Sequence, residues 1–413
     1  MAVHGLPAAR ARSSAIVLVA AGLVPLVFRA LLPAGAGVNE ASDFRDFYDP
    51  VARSVLAGRG LFLAPGAPAV AYPPGYPLVL AAVLRLAHVL GLPEHVGLSA
   101  LTVASTVAAA GLLHALAARV WGPRRALVAA LAWLTYPLVL WLTKQPNSEL
   151  PFMAALYAGV VLFFAALDAP RLAWLRLLGA GAVLGVAMLI RSIALGTSVL
   201  LALAFVALRR DVRPGPRLAG AACIIAGSLA VVAPWVAWVY AETGRVVPLS
   251  TGGVPSIRDG LTFASGDKPY RVDVGVGDDV RAAMVRLAAR RLDTLGDVAA
   301  AVRVEVRRDP RAAAKLLALK AARSWYGTDS GRWERAIALI QVFYLGLGAW
   351  ATVAAFRRRG AARRLAIVVC VLVAYFWGMT VIVLSVVRYM VPVVGLVLAL
   401  LPAVLPLPAR RPA

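Results

Sequence analysis

Long apolar runs alternate with short polar connections along almost the whole chain. Ten runs approach the 20 or so residues that a helix needs to cross a bilayer. They occupy residues 13–33, 97–118, 126–142, 150–167, 172–190, 192–208, 218–239, 334–356, 365–386 and 390–406. The pattern predicts an all-α polytopic membrane protein of about ten transmembrane helices, with residues 1–413 forming one integral membrane domain.

An eleventh apolar run, residues 76–92, differs from the others. It is short, follows Pro73-Pro74-Gly75, and carries Arg85 and His88 one helical turn apart. These features are typical of an interfacial or re-entrant helix. We therefore expect this segment to stay on one side of the membrane, inside a first external loop of residues 34–96 that contains juxtamembrane helices.

Basic residues fix the orientation of the predicted helices. If residues 76–92 do not cross, the Arg clusters between spans all fall on one side, which the positive-inside rule makes cytoplasmic. These clusters are Arg10/Arg12, Arg119/Arg124/Arg125, Arg171/Arg176, Arg209/Arg210/Arg213/Arg217, residues 357–364 and Arg410/Arg411. We expect a multi-pass protein of the plasma (inner) membrane, with both termini cytoplasmic and the loops 34–96 and 241–333 outside.

The loop 241–333 is basic although it lies on the predicted outer side. Long loops are translocated largely regardless of charge, so this loop does not contradict the orientation. Residues 279–295 and 297–325 alternate basic and apolar positions at helical spacing, with Met284, Ala288, Leu292 and Leu295 forming one apolar face. They predict amphipathic helices that form either a packed cap over the bundle or a lid that contacts substrate.

Composition agrees with the apolar pattern. Hydrophobic residues make up 61% of the 413 residues and charged residues 15%, which excludes an ordinary soluble domain. The net charge of +23 arises mostly from the short clusters between apolar runs, so it indicates membrane orientation and contact with the lipid bilayer, not nucleic-acid binding. No His/Cys spacing indicates a metal site, and no cofactor is expected. No spacing requires a divalent cation near the aspartates of the first loop, Asp43, Asp46 and Asp49.

A few charged residues lie at the edges of apolar runs, where a charge is costly and usually functional. Asp43 and Asp46 follow the first run, and Glu149 and Arg191 border later runs. Arg388 lies at the start of the last run. In the predicted orientation all five are external, so we expect them to share one polar chamber. Asp49 is explained as a helix N-cap before Pro50.

Several segments, in this order, resemble the GT-C superfamily of polyprenyl-phosphate-sugar-dependent glycosyltransferases. The similarity is to the branch of protein O-mannosyltransferases and lipid A aminoarabinose transferase. The segments are Asp43-Phe44-x-x-Phe47-Tyr48, Leu56-x-Gly58-x-Gly60, Pro73-Pro74-Gly75-Tyr76-Pro77-Leu78, Asn147-Ser148-Glu149, Gly185 to Arg191, Pro234-Trp235 with residues 243–251, and Arg388-Tyr389-x-x-Pro392. The chain departs from relatives that carry an Asp-Glu pair in the first loop, because Phe44 follows Asp43.

The resemblance implies transfer of a sugar from a polyprenyl-phosphate donor to an acceptor hydroxyl of a glycan, lipid or protein, with inversion. Such a reaction needs a base for the acceptor proton and positive charge for the leaving phosphate. Asp43 or Asp46 is the candidate base. The candidate phosphate ligands are Arg191, Arg388 and Lys144, while Glu149 and Arg45 are candidates for orienting these groups or the acceptor.

Two other functions fit the same chamber. A transporter or flippase of a lipid-linked saccharide would use it only for binding, but such carriers are typically built from two repeated halves with paired broken helices, and the sequence has no such repeat. A ligase or polymerase of lipid-linked oligosaccharides would share the architecture and perform a related transfer.

Overall fold

A computed structural model describes residues 5–33, 35–264 and 275–406 of the chain. Each of the ten predicted apolar runs contains a helix, and the predicted all-α polytopic fold is confirmed. Arg410 and Arg411, part of the last basic cluster, lie outside the described residues, as does a stretch of the loop 241–333.

Seventeen α-helices are present in the described residues, together with one short β-hairpin. The helices are α1 Gly5–Ala30, α2 Asp49–Leu56, α3 Gly75–Val89, α4 Glu94–Trp121, α5 Pro123–Leu134, α6 Pro137–Thr143, α7 Glu149–Leu167, α8 Trp174–Ile190, α9 Thr197–Leu208, α10 Pro214–Thr243, α11 Gly253–Thr262, α12 Asp278–Ala288, α13 Leu295–Arg308, α14 Pro310–Arg323, α15 Glu334–Arg357, α16 Ala361–Ile382 and α17 Val391–Leu398. The hairpin pairs β1 Phe62–Ala64 with β2 Ala67–Pro68.

Six helices of the described ranges are long and apolar enough to cross a membrane: α1, α4, α7, α10, α15 and α16. The run 126–142, predicted as one span, is instead divided into α5 and α6, which meet at an angle of 65°. The break falls before Pro137, which cannot continue the hydrogen-bond ladder of α5. The segments 174–190, 192–208 and 391–404 are shorter apolar helices, as is α3.

The helices α8 and α10 pack backbone against backbone. A Cβ atom on Gly181 would overlap the carbonyl oxygen of Ile224, and one on Gly227 would overlap the carbonyl oxygen of Leu178. Gly181 and Gly185 stand four residues apart on α8, the small-residue spacing that allows close helix crossing in membranes. This contact fixes the position of α8, whose last residue precedes Arg191.

The first loop contains α2, the hairpin and α3. A π-helical turn, Phe44–Tyr48, runs directly into α2. The predicted N-cap role of Asp49 is therefore wrong, because Asp49 is already helical and pairs with Arg53 at 2.8 Å, one turn later. Gly58 adopts a positive φ of 73° just after the end of α2, a conformation that glycine adopts without strain and that often ends a helix.

The loop 241–333, called here the second loop, contains a small helical unit of α11 to α14. Met284 and Leu292 are buried in its own apolar core together with Leu261, Phe263, Val280, Leu287, Val298, Ala301 and Leu316. The prediction was wrong for Leu295, which is exposed because α12 ends at Ala288 and α13 begins a new helix direction. The run 297–325 is likewise divided into two helices at Asp309-Pro310.

The loops and the basic clusters occupy opposite ends of the bundle. At the end called here the site end, the loop segments 31–74, 144–149 and 244–333 lie together: Asn39 donates to the Pro146 carbonyl at 2.6 Å, and the Thr251 amide donates to the Val70 carbonyl. At the other end, Arg119 and Arg364 both pair with Asp168. The first and second loops are distant in the chain, but both lie at the site end, and their polar groups are close together there.

Candidate active site

A cavity of about 480 Å³ opens at the site end between the first loop, the bend before α6, and the start of α15. Its wall includes both charged and apolar side chains. The charged and polar lining residues include Asp43, Lys144, Gln145, Asn147, Glu149, Asp329, Arg332 and Arg388. The apolar lining residues include Pro137, Leu138, Trp141, Leu142, Ile337, Ile340 and Val391. Such a wall suits a ligand with a polar head and an apolar chain.

Asp43 lines this cavity and is held by its own backbone. Its Oδ1 accepts a hydrogen bond from the Phe44 amide at 2.9 Å, which caps the π-helical turn. Its Oδ2 lies 3.6 Å from Nη1 of Arg388. The side chain keeps about 19% of its surface exposed, so one carboxylate oxygen is fixed and the other faces the cavity.

Asp46 points away from the cavity, although it is only three residues further along the chain. It pairs with Arg45 through two hydrogen bonds of 2.7 and 3.0 Å on the surface. The hydrogen bond from Arg45 lowers the pKa of Asp46 below its ordinary value, which makes this carboxylate a weaker base. Neither Asp46 nor Arg45 lines the cavity, so the structure does not bring these two candidates together with Asp43.

Arg388 lies between two carboxylates from different loops. Its guanidinium is 3.6 Å from Asp43 and 3.6 Å from Asp329, distances at which the charges attract without a short hydrogen bond. It follows the end of α16 in a 3₁₀ turn, Val387–Tyr389, that leads into α17. Arg388 also stands 5.3 Å from the ring centre of Tyr389.

Glu149 and Arg191 form a buried ion pair, in which Glu149 lines the cavity and Arg191 lies behind its wall. Arg191 Nη1 is 2.7 Å from Glu149 Oε1 and donates to Ser148 Oγ at 2.6 Å, and the two side chains are only 11% and 5% exposed. The Arg191 guanidinium also stacks on the Tyr389 ring at 5.1 Å. Arg191, which the sequence favours as a phosphate ligand, is thus fully engaged with protein groups and does not line the cavity.

Lys144 lines the cavity just after α6. Its ammonium lies 3.9 Å from the ring centre of Trp141, and no carboxylate of the described residues is within 4.0 Å of it. A lysine in this setting keeps its charge available for an anionic ligand.

Some residues of the cavity were not predicted from the sequence. Asp329, Arg332 and Trp333 belong to the segment between α14 and α15 and also line the cavity. Trp333 has a left-handed backbone with φ of 64°, which is uncommon for a residue with a side chain, and its indole is 75% exposed. The sequence signal was present: a polar, Gly-containing stretch stands directly before an apolar span on the predicted outer side. No three His, Cys, Asp or Glu side chains of the described ranges are grouped to hold a metal ion.

Known proteins resemble parts of this chain. Residues 72–238 match the family described as dolichyl-phosphate-mannose-protein mannosyltransferase. Among solved structures, ArnT from Cupriavidus metallidurans bound to undecaprenyl phosphate is 16% identical, with 95% of this chain and 76% of that chain covered and a TM-score of 0.42. Among curated proteins, no sequence matches this chain.

The oligosaccharyltransferase of Archaeoglobus fulgidus gives higher structural similarity. Its apo form is 13% identical over 94% of this chain, with a TM-score of 0.55. The same enzyme, AglB, in complex with an inhibitory peptide and a dolichol-phosphate is also 13% identical over 94% of this chain, with a TM-score of 0.54. This chain spans about half the length of that protein, 50% in both comparisons, and at this identity the similarity concerns the fold.

The family match and the shared fold agree with the resemblance seen in the sequence motifs. The matched residues 72–238 include Glu149 and Arg191 and extend to Trp238. The structural similarity extends over nearly the whole chain and therefore includes both loops at the site end. Over residues 72–238 the chain is therefore similar to the dolichyl-phosphate-mannose-protein mannosyltransferase family, and over nearly its whole length it has the fold of the Archaeoglobus fulgidus oligosaccharyltransferase.

Proposed function

We propose that this protein transfers a sugar from a polyprenyl-phosphate donor to an acceptor hydroxyl, with Asp43 as general base and inversion at the anomeric carbon. One observation carries the proposal. In a single cavity, a carboxylate and a guanidinium lie 3.6 Å apart, and apolar side chains of α6 and α15 line the same cavity. A lipid-phosphate sugar has the matching parts: a sugar, a charged phosphate and an apolar chain.

Asp43 is placed to take the acceptor proton. In the proposed step the acceptor oxygen forms a bond to the anomeric carbon and its proton passes to Oδ2 of Asp43. The bond between the anomeric carbon and the phosphate oxygen breaks, and polyprenyl phosphate leaves. A positioned base of this kind contributes about 10²- to 10⁴-fold to a reaction rate.

The positive charge for the leaving phosphate comes, in this proposal, from Arg388 and Lys144. Both line the cavity, whereas Arg191 is held by Glu149 and Ser148. The long distances from Arg388 to Asp43 and Asp329 leave its N–H groups able to turn to a phosphate. Arg191 would then act indirectly, by fixing Glu149 and the Tyr389 ring beside Arg388.

The apolar wall supports a lipid-linked donor over a soluble nucleotide sugar. The cavity volume of about 480 Å³ is in the range of a small-molecule site, so a long isoprenoid chain would have to continue beyond it. Trp141 and Trp333 line the cavity and are 54% and 75% exposed, as residues at a membrane interface often are. We propose that the chain leaves the cavity between α6 and α15.

We also propose that the site end faces the outside of the plasma membrane. The clusters around Arg119, Arg209 and Arg364 lie at the opposite end, and such clusters favour the cytoplasmic side. The acceptor would then be a glycan, lipid or protein hydroxyl of the cell envelope.

The test compares two neighbouring aspartates. Purified protein is incubated with radiolabelled polyprenyl-phosphate sugars and a cell-envelope extract as acceptor. We expect Asp43→Asn to lower kcat about 10²- to 10⁴-fold, because the amide is not a base. Asp46→Asn serves as the matched control and should stay within a few-fold of the unmodified protein, because Asp46 is paired on the surface.

Two outcomes would contradict the proposal. Equal turnover in Asp43→Asn and the unmodified protein would remove Asp43 as the base. Saturable donor binding without any transfer to the extract, together with donor movement across vesicles, would favour the flippase alternative.

A further inference from the structure

The segment that carries Arg388 is held in place by the helical unit of α11 to α14. After α16 ends at Ile382, residues 383–386 form an irregular connection to the 3₁₀ turn that holds Arg388. The carbonyls in the last turn of any helix have no partner within the helix and need one from outside. One partner found here, at the carbonyl of Val383 just after the helix, comes from the second loop.

Lys320 of α14 supplies this partner. Its ammonium donates to the Gly260 carbonyl at 2.7 Å and lies 3.4 Å from the carbonyl of Val383, the residue that ends α16. A cation is favoured at the C-terminal end of a helix, where the backbone dipole is negative. Lys320 is only 3% exposed and, among the described residues, has no carboxylate within 4.0 Å.

A buried ammonium without a counter-charge is costly, which makes its presence informative. Burial lowers the pKa of Lys320 to about 7, well below its ordinary value. An apolar side chain would fill the same space at lower cost. The hydrogen bonds from Lys320 to the Gly260 and Val383 carbonyls therefore have to offset the cost of burying its charge.

Two glycines bring the backbones into direct contact around Lys320. A Cβ atom on Gly260 would overlap the Val383 carbonyl oxygen, and one on Gly327 would lie 2.6 Å from the Ser385 carbonyl oxygen. The Val387 amide donates to the Gly327 carbonyl at 2.8 Å. The connection 383–387 is thus contacted at three successive points by the second loop.

We propose that Lys320 is a positioning residue for donor binding, which holds the end of α16 so that Arg388 stands between Asp43 and Asp329. The inference rests on the proposed function, since it assigns Arg388 to the donor phosphate. Lys320 is about one helical turn before Arg323, and Arg323 in turn fixes Glu334 at the start of α15 by two hydrogen bonds of 2.6 and 2.8 Å.

The first measurement does not depend on the chemistry. Hydrogen–deuterium exchange of residues 383–388 is compared in full-length Lys320→Met and Lys315→Met protein in detergent micelles. Lys315 lies on the same helix but is exposed and paired with Asp279, so it is the matched control. We expect faster exchange in Lys320→Met only. Unchanged exchange would overturn the proposal. If Lys320→Met does not fold, Lys320→Gln takes its place with the same expectations.

The second measurement separates positioning from general stability. We expect Lys320→Met to raise the KM for the polyprenyl-phosphate donor about 10-fold, the size of one charge-assisted hydrogen bond, with the acceptor KM unchanged. In an Arg388→Ala background the same change should add nothing. A fully additive effect, or faster exchange with an unchanged donor KM, would overturn the proposal.

The two proposals fail in different ways. If Arg388→Ala itself leaves the donor KM unchanged, the phosphate role of Arg388 is wrong. The exchange rate of residues 383–388 then decides alone whether Lys320 holds this segment.

Discussion

At the scale of single residues, the site contains one loosely paired and one tightly paired set of charged side chains. Asp43 and Arg388 line the cavity with their charged groups 3.6 Å apart, whereas Glu149, which also lines it, is joined at 2.7 Å to Arg191 behind the wall. The Tyr389 ring contacts both guanidinium groups, at 5.1 and 5.3 Å. The Tyr389 ring thus links the buried pair to the pair that lines the cavity.

The first residue-scale prediction concerns this buried pair. Removing one partner leaves an uncompensated charge in a site that is almost without solvent. We expect Glu149→Gln or Arg191→Met to destabilise the folded protein by about 3–5 kcal/mol, measured by thermal or denaturant unfolding in detergent.

The double variant is the control for that prediction. Glu149→Gln combined with Arg191→Met removes both charges, and most of the lost stability should return. Single variants as stable as the unmodified protein would show that the ion pair between Glu149 and Arg191 does not stabilise the fold.

The sequence brought several charged residues to one end of the molecule but did not reveal how they pair. Of the five expected in one chamber, Asp43, Glu149 and Arg388 line one cavity, whereas Asp46 and Arg191 do not. The sequence could not separate Asp43 from Asp46, because the choice depends on a π-helical turn that points one inward and the other toward Arg45. It also could not show that Arg191 is already engaged, since the partner is 42 residues away in the chain.

At the scale of secondary structure, glycines and prolines determine how the helices meet. Pro137 divides one predicted span into α5 and α6, and α6 then lines the cavity with Leu138 and Trp141. On α8, Gly181 and Gly185 allow α10 to approach the backbone. Gly75 allows the start of α3 to approach the end of α8, because a Cβ atom on Gly75 would lie 2.5 Å from the Leu189 carbonyl oxygen.

The second prediction tests the α8–α10 contact. In Gly181→Ala the new methyl group meets the backbone of Ile224, which cannot rotate away as a side chain can. We expect a loss of about 1–3 kcal/mol in unfolding free energy, as for other overpacked sites. Thermal unfolding of the purified protein in detergent measures it.

Gly179→Ala is the matched control, two residues earlier on the same helix. A Cβ atom there would lie 4.0 Å from Leu162 Cδ1, which is ordinary van der Waals contact. Equal melting temperatures for Gly181→Ala and Gly179→Ala would contradict the proposed close crossing.

At the scale of the whole molecule, the short basic connections and the candidate site are sorted to opposite ends of the bundle. Asp168 holds Arg119 and Arg364 at one end, while the catalytic candidates gather at the other. This sorting was predictable from the sequence, because short basic connections alternate with apolar runs. The division of the second loop into α11 to α14 was less predictable, because helical periodicity does not reveal where a helix turns, as the exposed Leu295 illustrates.

The third prediction concerns the orientation proposed above. Single cysteines are placed at exposed positions on the two ends, Arg59→Cys at the site end and Asp211→Cys at the other, after Cys223 and Cys370 are replaced by alanine. A membrane-impermeant maleimide added to intact cells should label the first and not the second. Labelling of Asp211→Cys alone would reverse the orientation.

The combination of charged and apolar side chains in the cavity wall has a consequence for turnover. If the proposed transfer takes place, the departing lipid keeps the chain that α6 and α15 accommodate and gains negative charge beside Arg388. The spent carrier would then compete with fresh donor for the same place, so it has to diffuse back into the bilayer before each new cycle can begin.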